Sequence, residues 1–234
     1  MRRILIMLVF FSFLPFSTYA QDEDETIPVD WKEVKKVAES DPQRLKDLVT
    51  RMAASETDTT MTWNERILAF YGQSFLTPFN GLSDGRKLDE LFEEGKYEEC
   101  LAEAKELLKK NPLSLEALSN AGLAVTVMLE DSVHHQGVTI DEGREYLSRM
   151  FLILATIART GDGTEERPFG VTMVSDEYMF MHYYLDIWKI ESQFLTSSGC
   201  DGFNLKETNE NYQRKQIFFD VSRVLEIERE MFFK

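Results

Sequence analysis

Apolar residues recur every three or four positions from Trp31 onward, a spacing that gathers them on one helix face. Trp31, Val34, Val37 and Ala38 make the first stripe. Ser40-Asp41-Pro42 then breaks the helix and restarts another, with Asp41 as N-cap and Pro42 at the first helical position. Leu45, Leu48, Val49 and Met52 form the second stripe. After the polar stretch Ser55 to Thr60, Thr62 and Glu65 have the spacing of a capping box. Ile67, Leu68, Phe70 and Tyr71 follow as that helix's buried face, Gly72 falls near its end, and Phe75 to Gly85 reads as a loop.

The same period continues through Leu88, Leu91 and Phe92, breaks at Gly95-Lys96-Tyr97, and resumes through Cys100, Leu101, Ala104, Leu107 and Leu108. Asn111-Pro112 stops it, and Leu115, Leu118, Ala121-Gly122 and Val125 begin a third helix. Glu130 to Thr139 is polar, and Ile140 to Ala158 is a long helix closed by Gly161-Asp162-Gly163 with a left-handed glycine cap. Beyond Pro168 the texture changes. Phe169 to Val174 reads as a short strand, and Ser175-Asp176 as the cap of a short helix running to Tyr184. Ile187 to Phe194 alternates, Phe203 to Thr208 and Gln216 to Val221 read as two further strands, and Val221 to Phe232 as a final helix. The expected class is α+β, a mainly helical body followed by a small antiparallel β-meander and a C-terminal helix.

The stretch around Pro112 resembles a tetratricopeptide repeat. Gly95 and Tyr97 stand at the turn, Cys100 and Ala104 take small-residue packing positions, and Ala121-Gly122 repeats the small pair where one helix lies close on another. Asp84 and Lys87-Leu88 replace the opening Trp and Leu-Gly, and no second repeat follows at the period of about 34 residues. The hairpin is therefore a degenerate repeat inside a larger domain.

The first twenty residues stand outside this pattern. Arg2-Arg3, a largely apolar run from Ile4 to Phe16 and a small residue at Ala20 make a secretory signal peptide, too short for a spanning helix and without a cysteine to carry a lipid. The expected organisation is a signal peptide over 1–20 cleaved after Ala20, a flexible lead-in over 21–29, and one domain over 30–234. That domain has a helical part at 30–160 and a β-containing part at 168–234. Cleavage leaves 214 residues with 24 basic and 41 acidic side chains, taking the formal net charge from -15 to -17. No later segment spans a membrane, and the expected location is periplasmic or extracellular. The acidity excludes a phosphate-backbone binder, so no nucleic-acid partner is expected. A hydrophobic fraction of 43% excludes a disordered acidic chain.

Candidate chemistry is sparse. His134-His135, with Glu130, Asp131, Asp141 and Glu142 nearby, reads as a solvated loop in preference to a metal site. Cys100 behaves first as a small hydrophobe, and whether it bridges to Cys200 is open. Gly161-Asp162-Gly163-Thr164-Glu165-Glu166 lacks the alternation of a calcium loop, and Asp176-Glu177 is more economically a helix cap than an acid pair. No Ser-His-Asp arrangement, phosphate loop or paired-cysteine motif occurs, so no catalytic residue, cofactor or metal is assigned. The dense aromatics of the first third are mostly core, but Trp63, Tyr71, Phe75 and Phe79 are candidates for a binding groove between the early helices and the hairpin.

Stations along nearly the whole mature chain resemble a secreted bacterial family catalogued as domain of unknown function 4919. They are Asp58-Thr59-Thr60-Met61-Thr62 with Glu65, Phe70 to Phe75, Asn111-Pro112-Leu113, Gly161-Asp162-Gly163, Asp176-Glu177-Tyr178, Cys200-Asp201 and Ile217-Phe218-Phe219-Asp220. Where that family tends to pair tyrosines before the glycine, this chain has Phe70-Tyr71. The resemblance implies a fold and a compartment but no activity. The functional expectation is a noncatalytic module of the cell envelope with a protein or peptide partner. The alternative is an envelope hydrolase or metal-dependent enzyme using acids near Glu65, Asp162 or Asp176.

Overall fold

The computed structural model describes residues 26–54, 58–77, 85–130 and 137–232. Local signals in the sequence set most of its boundaries. Asp30 accepts the amides of Lys32 and Glu33 to start α1 (Trp31–Ser40), and Asp41 accepts from Arg44 to start α2 (Pro42–Met52). The Thr62–Glu65 capping box forms in both directions and opens α3 (Trp63–Leu76). Next come α4 (Gly85–Glu93), α5 (Tyr97–Lys110), α6 (Leu115–Glu130) and α7 (Ile140–Ala158).

The β-containing part comprises β1 (Phe169–Gly170), α8 (Val174–Tyr183), β2 (Ile190–Leu195), β3 (Cys200–Leu205), β4 (Gln216–Asp220) and α9 (Ser222–Phe232). Nine helices and one small sheet among the described residues make the class α+β, mainly helical. The expected antiparallel meander is present as β2-β3-β4, but the sheet has a fourth strand. Its order is β1-β4-β3-β2, with β1 parallel to β4 through Phe169–Phe219 and Gly170–Asp220.

Three further expectations need correction. Phe75 lies inside α3, because Gly72 does not end the helix; its missing side chain makes room for Leu45 of α2, whose Cδ1 would stand 2.6 Å from a Cβ at that position. Val174 begins α8 and is not the end of a strand, since pairing to β4 sustains only two residues of β1. The helix α7 ends on Arg159 in ordinary helical geometry, and the left-handed glycine is Gly163, farther along, with a φ of 75°. The Gly161–Gly163 segment is therefore a tight return loop, closed by Asp162 and Gly163 amides donating to the Arg167 carbonyl.

Gly122 of α6 is the close-approach point anticipated in the hairpin: a Cβ there would meet Leu147 of α7 at 2.7 Å. Beyond α6, α7 also touches α3 and β1, so it joins the helical part to the sheet. The core of the β-containing part is aromatic, with Phe180 of α8 between Phe169 and Phe219 and Phe203 edge-on to Phe219.

The two ends of the fold meet. Trp31 Nε1 donates to Asp220 Oδ2 at 2.6 Å, Lys35 pairs with Glu226, and Arg223 of α9 donates to the Ser74 carbonyl and hydroxyl while lying 3.9 Å from the centre of the Phe75 ring. Cys100 and Cys200 are unbridged and buried, and the Cys100 thiol points at the Leu88 carbonyl. No described helix is long and apolar enough to cross a membrane.

Candidate functional site

Of the aromatic groove candidates, Trp63, Tyr71 and Phe75 are described, and all three lie on α3. Tyr71 is fully buried, with its hydroxyl donating to the Gly170 carbonyl at 2.8 Å and its ring edge-on to Trp31 and Phe70. Burial pushes its phenol far above the ordinary tyrosine range. Trp63 and Phe75 are half-buried at opposite ends of α3, about 18 Å apart along its axis at 1.5 Å per residue. Each carries a guanidinium over its ring, Arg66 and Arg159 over Trp63 and Arg223 over Phe75. Phe79 lies outside the described residues, as do His134 and His135.

The acids singled out in the sequence scatter. Asp58 accepts the Thr60 hydroxyl and amide and the Arg51 Nε, and these hold its carboxyl at about 2. Glu65 is below its ordinary range through the Thr62 amide and hydroxyl bonds, with Arg51 adding at 3.6 Å. Burial pushes Asp162 up, but Thr164, Arg214 and Arg167 outweigh it and leave the carboxyl low. Asp220 takes the Trp31 indole and the Ser222 amide. These groups cap, turn or pair, and no group of three metal-ligating side chains forms among the described residues.

A different set does converge. Between α3, the α5–α6 turn and the β1–α8 segment lies a cleft of about 20 Å³, enough for one water-sized group. Phe70, Leu113 and Leu115 give its apolar wall. Gln73 and Asn111, 5% and 7% exposed, also line it, while their amide oxygens Oε1 and Oδ1 are closed off from solvent and have no hydrogen-bond partner among the described residues. A buried acceptor left unpaired costs on the order of 1–3 kcal/mol, so two beside one small cleft are unusual.

Two carboxylates complete the lining. Asp176, in the first turn of α8, receives the Thr172 amide and hydroxyl and the Met173 amide, all on Oδ2. Burial nevertheless raises its carboxyl to about 6, because those three bonds only partly offset the loss of water. Glu116, in the first turn of α6, is raised to about 7 by burial and then by the charges of Asp89 and Asp176, against a bond from the Ser175 hydroxyl. Its carboxylate rests on the start of α4: a Cβ on Gly85 would fall 1.7 Å from it, so a larger residue there has to push the Glu116 side chain aside.

Next to Asp176, the fully buried Glu177 is directed to Asp201 on β3, and neither of its oxygens has a donor among the described residues. Burial pushes it up to about 9, helped by the charges of Asp201 and Asp176. As a neutral acid it donates to Asp201, which already accepts from Gln193 Nε2 at 2.5 Å.

Asp176 was visible in the sequence as a cap; its neighbours in the cleft were not. Gln73 sits mid-helix, Asn111 looked like a helix stop and Glu116 like an ordinary first-turn acid. A buried-face position occupied by an amide, Gln73 two residues after Tyr71, is the one local hint. The family model described as "Domain of unknown function (DUF4919)" matches residues 33–230. No curated protein and no solved structure matches the chain.

Proposed function

The chain belongs to the DUF4919 family, whose model covers most of its length, and we propose that it is a noncatalytic interaction module of the bacterial cell envelope that binds a protein or peptide. The supporting observation is the cleft in which the apolar Phe70, Leu113 and Leu115 meet the side chains of Gln73, Asn111, Glu116 and Asp176, because a concave site with a few convergent polar groups is where a ligand fits. It lies at the start of α6, on the helices α4 to α6 that carry the tetratricopeptide-like pattern. In this reading residues 1–20 are the secretory signal, and N-terminal sequencing of the exported protein begins at Gln21.

The test is titration of purified residues 21–234 against arrayed peptides drawn from envelope proteins. Saturable binding that Asn111→Leu removes supports the reading. Absence of any binding peptide, together with turnover on ester, glycoside or peptide substrates, overturns it. One observation favours the enzymatic alternative: Glu116 and Asp176 share the cleft and both titrate near neutrality, as an acid and base pair must. For that reading Glu116→Gln abolishes a measured hydrolysis, whereas an interaction module shows none to abolish.

A further inference from the structure

We infer that the open face of Trp188, with the Asp186 carboxylate at its edge, is a docking platform for an arginine side chain of a partner protein. The platform lies beyond the C-terminal end of α8, whereas the cleft lies at that helix's start. It rests on the interaction reading only for the source of the arginine.

The segment joining α8 to β2 holds the ring in place. Trp188 is 38% exposed, yet three contacts orient it. Its Nε1 donates to Asp186 Oδ1 at 2.7 Å, His182 stacks on one face with ring centres 4.3 Å apart and planes at 9°, and Tyr183 stands perpendicular at 5.9 Å. Tyr183 is also 6.3 Å from His182, so it lies beside the two-ring stack and leaves the second face of the indole open. Asp186 is fixed in turn. It is the one non-glycine residue with a positive φ, 55°, among the described residues, and Asn209 Nδ2 donates to its carbonyl at 2.9 Å and to that of Leu185 at 2.8 Å. A ring presented this way needs no ordering when a ligand arrives.

Charge selects the occupant. A carboxylate that accepts the indole N–H makes the ring face richer in electrons, and such a face attracts a cation. Burial holds the His182 imidazole below its ordinary range, so the ring beneath the indole is neutral at neutral pH and does not repel a cation above it. The exposed Asp186 has no ion pair among the described residues, and its Oδ2 is left for an incoming donor. Of the nearby cations, Lys189 is paired with Glu207 and the Lys215 ammonium is turned to the Lys206 carbonyl. A net charge of -15 draws a basic partner from farther out. The pairing recurs within the molecule: Arg66 and Arg159 lie 4.8 and 5.1 Å from the centre of the Trp63 ring, and Arg223 lies 3.9 Å from that of Phe75. Trp188 has no such cation among the described residues. A planar guanidinium stacks on the flat indole and turns N–H groups to a carboxylate at once, which a compact, strongly hydrated ammonium does not.

The experiment follows the indole N–H signals of the three tryptophans by NMR in purified residues 21–234, at neutral pH and fixed ionic strength. N-acetylarginine amide is titrated to about 300 mM, where a site of about 100 mM Kd is three-quarters filled. It should shift the Trp188 signal along a saturating curve and leave those of Trp31 and Trp63 in place. Asp186→Asn keeps an acceptor for Nε1 and tolerates the positive φ, so it should hold Tm while weakening the arginine response about threefold. Trp188→Leu should abolish the accompanying shift of the Asp186 backbone amide. The inference is overturned by an equal shift from the neutral isostere N-acetylcitrulline amide, by an equal or stronger response to N-acetyllysine amide, by a response to methyl glucoside with none to arginine, or by no Trp188 shift at all. An arginine response with no binding peptide in the array supports the platform and counts against the cleft as a peptide site. Array peptides whose binding survives Trp188→Leu, with no arginine response at Trp188, keep the interaction module and overturn the platform.

Discussion

Around Arg51 and around the first turn of α8 the chain places acids in opposite circumstances. Asp58 and Glu65 share the Arg51 guanidinium and the Thr60 and Thr62 hydroxyls at the surface, and both carboxyls sit below their ordinary range. Asp176, Glu177 and Glu116 are withdrawn from water without a described cation, and all three sit above it. A net charge of -15 says nothing of this division. The first group is capping and pairing that would suit the surface of any acidic domain. The second group places carboxyl groups where the fold itself disfavours their ionisation, the arrangement that functional sites use to shift a titration.

The sharpest way to break this comparison is Glu177→Gln. The folded chain keeps the Glu177 proton up to about 9, whereas the unfolded chain loses it near the ordinary 4.5, so the wild type loses stability as pH rises between those values. Gln is neutral throughout and can still donate to Asp201. Urea denaturation should find the variant more stable by a few kcal/mol at about pH 8.5 and equal within about 1 kcal/mol at about pH 4. A pH-independent difference would mean that Glu177 is ionised in the fold.

Next in size, Thr172→Val removes one donor from Asp176 and should cost about 2 kcal/mol at about pH 8, where the carboxylate is charged, and roughly half that at about pH 4. Tyr71→Phe is the control inside the same core. It leaves the Gly170 carbonyl short of a donor at a cost of about 1 kcal/mol that chemical denaturation should find unchanged between those two pH values. The smallest effect belongs to the surface group. Arg51→Ala should leave the denaturation midpoint nearly unmoved, and carbon-detected NMR titration should show Asp58 rising from about 2 toward the ordinary carboxylate range.

The elements legible in the sequence are those whose signals are local. Asp41-Pro42, the Thr62–Glu65 box and the stripe of α7 all depend on residues within a turn or two of one another, and each set a boundary that the structure reproduces. β1 was overread because two residues carry no alternation; a parallel partner 50 positions away defines it. Tyr71 looked like a groove aromatic because composition cannot tell a ring at the surface from one whose hydroxyl reaches a carbonyl across the core. The cleft was illegible for the same reason. Gln73, Asn111, Glu116 and Asp176 come from four separate stretches, and no period or spacing joins them.

The bond from Trp31 to Asp220 closes a loop across 189 positions of sequence, and the Lys35–Glu226 pair reinforces it. During synthesis at about 5–20 residues per second, the first helix leaves the ribosome roughly ten to forty seconds before its partner strand exists. Until then α1 lacks its indole acceptor and α3 lacks the Arg223 guanidinium that covers Phe75. The entropy of that closure must be met before its contacts return anything, so β4 and α9 act as a latch on the first helices.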